Sequence, residues 1–170
     1  MILKGKAHIF GNNINTDDII AAKYLDSQDE KFLGSKCMEN IQPDFVKKVT
    51  PGDIIVAGNN FGSGSSREHA PVSIKGCGVT AVIASSFARI FFRNAINRGL
   101  PILEIRETAD IAQNDMLEID LSKGIIKNLT KGREYRAQSF PVFLQDIVKA
   151  QGLTSWVKLK EGKRNEGAKD

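Results

Sequence analysis

DIIVAGNNFGSGSSREHAPVSIKGCGVTAVIASSFARIFFRNAINRGLPILEI, residues 53–105, decides the fold. Three apolar runs, Asp53 to Ala57, Val79 to Ala84 and Leu100 to Ile105, have the length of buried strands. Between them lie two stretches of helical length, Ser66 to Gly76 and Phe87 to Arg98, with Gly76 and Gly99 where helix C-terminal glycines belong. Strands separated by helices of this length pair in parallel through right-handed crossovers. The first strand runs into Gly58 to His69, GNNFGSGSSREH. A glycine-rich turn there exposes backbone amides at the C-terminal edge of a sheet, where α/β proteins bind ligands.

On the N-terminal side, residues 2–10 read as an opening strand, ended by Gly11-Asn12-Asn13. Asn15, Thr16, Asp17 and Asp18 then precede the apolar Ile19-Ile20-Ala21-Ala22. Two readings fit: Thr16 or Asp17 caps a short helical turn, or the cluster forms a second polar wall of a site. Tyr24 to Gln42 is polar and weakly helical, best between Asp29 and Cys37, and has the character of a lid or partner contact.

On the C-terminal side, Met116 to Leu121 and Gly124 to Leu129 pair as a hairpin, and Thr130 to Arg136 adds a turn and strand. Pro141 to Gln151 is an amphipathic helix with Gly152 past its end, and Leu153 to Leu159 follows as a short helix. The expectation is an α/β fold: a parallel-sheet βαβ core, additional β-strands and a C-terminal helix. It forms a single domain over residues 1–160, with 161–170 as a disordered tail.

Charge and composition narrow the function. The net charge is +4, and Lys158 to Asp170 alone, with five basic and three acidic residues, supplies +2 of it. That leaves no dense basic face of the kind nucleic-acid binders carry. No apolar stretch approaches the roughly 20 residues of a membrane span, and MILKGKAHIF is too short and strand-like for a signal peptide. Cys37 and Cys77 form no C-x-x-C pair, as expected of two reduced, buried thiols in a cytoplasmic protein.

The loop itself excludes two chemistries. Gly62-Ser63-Gly64 opens like a dinucleotide fingerprint, but Arg67 stands where the third glycine is needed for close helix–strand packing, and no P-loop Lys-Ser/Thr pair is present. Gly64-Ser65-Ser66 lacks the second glycine of a hydrolase elbow, and His69 is too near in sequence to serve as a triad base. Ser65-Ser66-Arg67-Glu68 matches a capping box, in which Ser65 caps its helix and the helix dipole favours an alkoxide. Arg67 in a first turn opposes that dipole, which points to an anion held between them. A guanidinium fork matches a carboxylate. The loop therefore reads as a carboxylate pocket with a serine hydroxyl at its centre.

Three segments, GNNFGSGSSREHAP (Gly58 to Pro71), NTDDII (Asn15 to Ile20) and SFARIFFRNAINRGLP (Ser86 to Pro101), resemble the small subunits of 3-isopropylmalate dehydratase. They are also similar to the swivel domain of aconitase, and the resemblance covers residues 2–158. It implies an aconitase-like swivel fold and a leucine-biosynthesis hydro-lyase of two different subunits, interconverting 2- and 3-isopropylmalate through the dehydrated alkene. It makes Ser65 the base that removes a substrate C–H proton and Arg67 the holder of a substrate carboxylate, with Ser66 and Gly64 beside it. Asp17 corresponds to an active-site aspartate.

The resemblance also places a [4Fe–4S] cluster on the large subunit, where open iron acts as a Lewis acid on the leaving hydroxide. Such a cluster needs about three or four thiolates. Cys37 and Cys77 are too few, so the cofactor demands a partner. The subunit's own self-association is left open. The segment Tyr24, Leu25, Asp26, Ser27 corresponds to the part that discriminates the substrate's variable group, and homoaconitase-like members place an arginine where Asp26 stands. An acidic side chain there repels a third carboxylate. Ser63 stands where many relatives have cysteine. The rival readings are a homoaconitase or dimethylmalate-type small subunit, and a carboxylate-binding interaction module without catalysis.

Overall fold

A computed structural model describes residues 1–166. Seven strands form one sheet: β1 (Ile2–Ile9), β2 (Ile54–Ala57), β3 (Ala81–Ala84), β4 (Ile102–Glu104), β5 (Met116–Asp120), β6 (Ile125–Asn128) and β7 (Arg133–Arg136). Their order is β4-β3-β2-β1-β5-β6-β7. The first four pair in parallel, and β1, β5, β6 and β7 pair antiparallel. β1 is thus the seam between a βαβ core and a meander, the α/β architecture that the two strand–helix units imply.

The helices are α1 (Thr16–Ile19), α2 (Glu30–Gly34), α3 (Phe45–Lys48), α4 (His69–Gly76), α5 (Arg89–Asn97), α6 (Val142–Lys149) and α7 (Leu153–Glu166). Helix α7 runs through Glu161, where the disordered tail is expected to begin, and residues 167–170 lie outside the described residues. Among the described residues no helix is long and apolar enough to cross a membrane.

Period-two alternation splits the core in two. Ile55 and Ala57 of β2, with Val82 and Ala84 of β3, join Ile19, Leu33, Phe45, Ala70, Ile74, Phe91 and Ala95 on the helix-covered face. Ile54, Val56, Ala81 and Ile83 face the other way, against Leu117, Ile119, Ile126, Tyr135 and Val148. The central strands are buried on both faces, so they read as continuous apolar runs.

The segment read as a lid or partner contact, Tyr24 to Gln42, contributes part of the first core. Leu33, Cys37 and Met38 are fully buried, and α2 lies against α4 with a closeness only glycine allows. A Cβ on Gly34 would stand 2.1 Å from the carbonyl carbon of Gly76, and one on Gly76 would stand 2.0 Å from the Glu30 oxygen. Gly76 is thus a packing glycine and not the helix-ending one. The left-handed residue after α4 is Gly78, at φ +99°, while Gly99, at φ +71°, does end α5. Cys37 and Cys77 are free thiols at the same junction. Burial pushes the Cys37 thiol well up, and Cys77 is only half-buried.

Candidate active site

The C-terminal ends of β1, β2 and β3 feed three connecting segments that are laced together. Asn13 donates its amide to Asn59 O (2.8 Å), Gly62 to Ile14 O (2.7 Å) and Thr16 to Ser63 O (2.8 Å). On the other flank Phe61 donates its amide to Ser86 O (3.0 Å) and Ala88 donates to Phe61 O (2.9 Å). Beneath the loop, Phe61 is fully buried and meets Phe87 and Phe91 edge-on, at 6.0 and 5.3 Å. Gly62, at φ +79°, sits so close over Phe91 that a Cβ would come within 2.1 Å of the ring. The glycines let the chain pass over an aromatic floor and lift residues 64–66 into solvent, where all three are exposed.

The local caps differ from those the sequence suggests. Asn15, not Thr16 or Asp17, caps α1: its side chain accepts the Asp18 amide while Asp18 accepts the Asn15 amide, both at 2.9 Å. The Ser65–Glu68 capping box does not form. Helix α4 begins only at His69, without a side-chain cap. The reason is competition for both groups: Glu68 pairs with Arg98 at 2.5 Å, and the Ser65 hydroxyl lies 3.0 Å from Thr16 Oγ1. The dipole of α4 therefore starts too late to act on Ser65. Arg67 likewise lies before the helix rather than in its first turn.

The two polar segments named from the sequence do meet. The Arg67 guanidinium bonds the Asp17 carboxylate through Nη1, which also approaches the Ile20 carbonyl at 3.5 Å. Asp17 is open to solvent, whereas the Arg67 side chain is only 18% exposed. The Ser66 carbonyl accepts from Asn94 Nδ2 at 3.1 Å, tying the loop to α5. Gly64, at φ +97°, passes above Thr16.

Arg67 and Ser66 open on a cleft of about 480 Å³, whose wall includes Leu25, Gln28, Glu68 and His69. Ser65 and Gly64 open on a neighbouring hollow of about 440 Å³ beside Arg89, Ile90 and Arg93. Of the expected specificity segment, Leu25 reaches the Arg67 cleft. Tyr24 turns to Glu39, donating its hydroxyl at 2.8 and 3.0 Å, and holds that carboxyl below its usual range. Ser27 caps back on the Asp29 amide, and Asp26 is exposed and outside both hollows.

Sequence reasoning missed four contributors: Thr16 as the partner of Ser65, Asn94 beneath Ser66, and the cations Arg89 and Arg93 beside Ser65. The arginines carried a signal in their i,i+4 spacing on a helix that follows a strand end. They pair with no carboxylate among the described residues. Thr16 carried none beyond its place in the polar cluster.

Residues 2–108 match the family model of the aconitase C-terminal domain. The 3-isopropylmalate dehydratase small subunit of Caldicellulosiruptor bescii is 59% identical over 159 residues, covering 93% of this chain and 96% of that one. That of Clostridioides difficile is 56% identical, covering 95% and 100%. The chain belongs to the 3-isopropylmalate dehydratase small-subunit family. Among solved structures, 3-isopropylmalate dehydratase from Methanocaldococcus jannaschii superposes at a TM-score of 0.92, with 45% identity over 98% of this chain and 99% of that one. The chain has two cysteines, Cys37 and Cys77, fewer than the about three or four thiolates that an iron–sulfur cluster needs. Among the described residues no three His, Cys, Asp or Glu side chains gather, and its two thiols lie at the α2–α4 junction, away from the loop.

Proposed function

We propose that this chain is the subunit that supplies the base and a carboxylate clamp to a 3-isopropylmalate dehydratase, acting in the cytoplasm with a large subunit that carries the [4Fe–4S] cluster. The observation that carries the reading is that one glycine-rich loop presents an exposed serine hydroxyl beside Thr16 and, two residues on, a guanidinium held by Asp17, each opening on its own hollow. Ser65, as alkoxide, takes the proton from the substrate carbon next to a carboxylate. Arg67 receives a carboxylate of the dicarboxylate substrate, and Ser66 and Gly64 shape the approach. A guanidinium has five N–H donors. Asp17 engages Nη1, so the remaining donors are left for the substrate while the fork is kept in place. Asp17 is thus a positioning residue acting through Arg67. Leu25, an apolar side chain on the wall of the Arg67 cleft, suits a branched alkyl group better than a third carboxylate.

The test is to co-purify the chain with its iron–sulfur partner and follow alkene absorbance with isopropylmalate, homocitrate and dimethylmalate in separate assays. Isopropylmalate is expected to turn over best, and Ser65→Ala to abolish turnover with no loss of folding. Preference for homocitrate or dimethylmalate overturns the substrate assignment. No turnover of any of the three by the intact complex leaves the non-catalytic module as the better account.

A further inference from the structure

We infer that Thr16 is the residue that positions Ser65 and stabilises its oxygen as it becomes an alkoxide, an inference that rests on Ser65 being the base. The direction of one hydrogen bond carries the argument. Thr16 is 2% exposed, and its hydroxyl has two contacts among the described residues, both with Ser65. The Ser65 backbone N–H, at 3.2 Å, can only donate, so it occupies a lone pair of Thr16 Oγ1. The hydroxyl hydrogen of Thr16 then has a single acceptor within reach, Ser65 Oγ at 3.0 Å. Leaving a buried hydroxyl hydrogen without a partner is costly. Thr16 therefore donates to Ser65, and the Ser65 hydrogen is left free to point away from Thr16, toward the hollow beside Arg89 and Arg93.

This closes a small ring in which Ser65 gives its N–H to Thr16 and receives the Thr16 O–H on its own oxygen. The ring restricts the Ser65 side-chain rotamer. It also offers the charged form a donor that stays put, because a hydrogen bond to an ionised oxygen is stronger than one to a neutral hydroxyl. The proton remains on Thr16 throughout. Thr16 itself is held by the sheet-like bridge of Asn15 to Ser63 and by the Asn15–Asp18 capping box, so the donor is preorganised. The helix dipole that a capping box at Ser65 would have brought is absent here, and Thr16 supplies the stabilisation in its place.

The experiment uses the two-subunit enzyme with Thr16→Val, Thr16→Ser and Ser65→Ala. Thr16→Val keeps the volume and removes the donor. Its kcat is expected to fall by about 100-fold, as for loss of one preorganised donor, with KM little changed and the acidic limb of the kcat profile moved to higher pH. Thr16→Ser is expected to recover kcat to within a few-fold and to restore the parent pH limb. Thr16→Ala covers the case in which valine does not seat, and the same losses are expected of it. An unchanged kcat, or a lowered kcat with a pH profile that superposes on the parent, overturns the inference. So does a Thr16→Ser enzyme as poor as the valine one. If Ser65→Ala is inactive while Thr16→Val is normal, only the role of Thr16 falls. An active Ser65→Ala enzyme removes the base reading and the inference with it.

Discussion

Arg67 does two things at once, and the geometry separates them. Its Nη1 is committed to Asp17 and the Ile20 carbonyl, while the residue also lines the cleft. A lysine ammonium is a point charge and cannot hold Asp17 while presenting a flat two-toothed edge to a carboxylate. Arg67→Lys is therefore expected to raise KM for isopropylmalate by about 10-fold or more, the equivalent of one charge-assisted bond at about 1.5–3 kcal/mol. The thermal midpoint should hardly move, because Asp17 is exposed and such pairs add little to stability. Steady-state kinetics beside a melting curve checks it, and a large drop in the midpoint with unchanged KM contradicts it. The loop that carries Ser65 and Arg67 was legible in the sequence because three glycines between Gly58 and His69 are more than a simple surface turn requires. The capping box was misread because local spacing cannot see a competitor 49 residues away, Thr16, which takes the Ser65 hydroxyl.

At the scale of elements, the join between α2 and α4 sets where the cleft wall stands. The two helices touch backbone to backbone, with Gly34 and Gly76 facing one another. Leu25 and Gln28, just before α2, reach the wall of the Arg67 cleft from there. An added methyl at position 76 meets main chain, which cannot swing aside as a flexible side chain would. Gly76→Ala is expected to destabilise the chain by about 1–3 kcal/mol, the usual cost of overpacking. It should also displace α2 and weaken substrate binding without touching Ser65. Urea unfolding reads the first effect as a lower midpoint at unchanged slope, and KM reads the second. A neutral Gly76→Ala would mean that the helices separate freely and that the wall is not fixed by this contact. The strands and α4–α5 were legible because apolar runs alternate with helical lengths there. The packing of 24–42 was not, since the segment is largely polar and a glycine reserved for contact looks in sequence like one that ends a helix.

At the scale of the whole molecule, two buried aspartates tie neighbouring strands together, Asp53 through its carboxylate across β1 and β2 and Asp115 through its carboxylate to β6. Asp53, at the entrance to β2, accepts from the Lys6 amide (3.0 Å), from His8 Nε2 (2.8 Å) and from the Thr50 amide (2.9 Å), joining β2 to β1. Asp115, before β5, accepts from the Ala112 amide and Asn128 Nδ2 at 2.8 and 2.7 Å, with Lys131 at 3.3 Å, while its carbonyl takes the Ala7 amide. Burial opposes charge on both, but the bonds from His8 and the amides prevail at Asp53, and those from Ala112, Asn128 and Lys131 at Asp115. Both carboxyls are held below their usual range. A carboxyl whose pKa is lower folded than unfolded contributes stability that is complete above the unfolded value, about 3.9. That contribution drains away as pH falls through the lower folded value. The chain is therefore expected to keep its stability down to about pH 4 and to lose it steeply below, as Asp53 releases β1 and the turn before β5 loses its side-chain tie to Asn128 of β6. Asp53→Asn turns an amide N–H toward groups that already donate, leaving buried donors unmatched at about 1–3 kcal/mol. That variant should be weaker at pH 7 yet show a shallower decline below pH 4, having one less carboxylate to protonate. Denaturant midpoints measured from pH 7 to pH 2.5 separate the outcomes. Parallel curves for parent and variant would show that Asp53 holds β1 to β2 by shape alone and that its charge adds nothing.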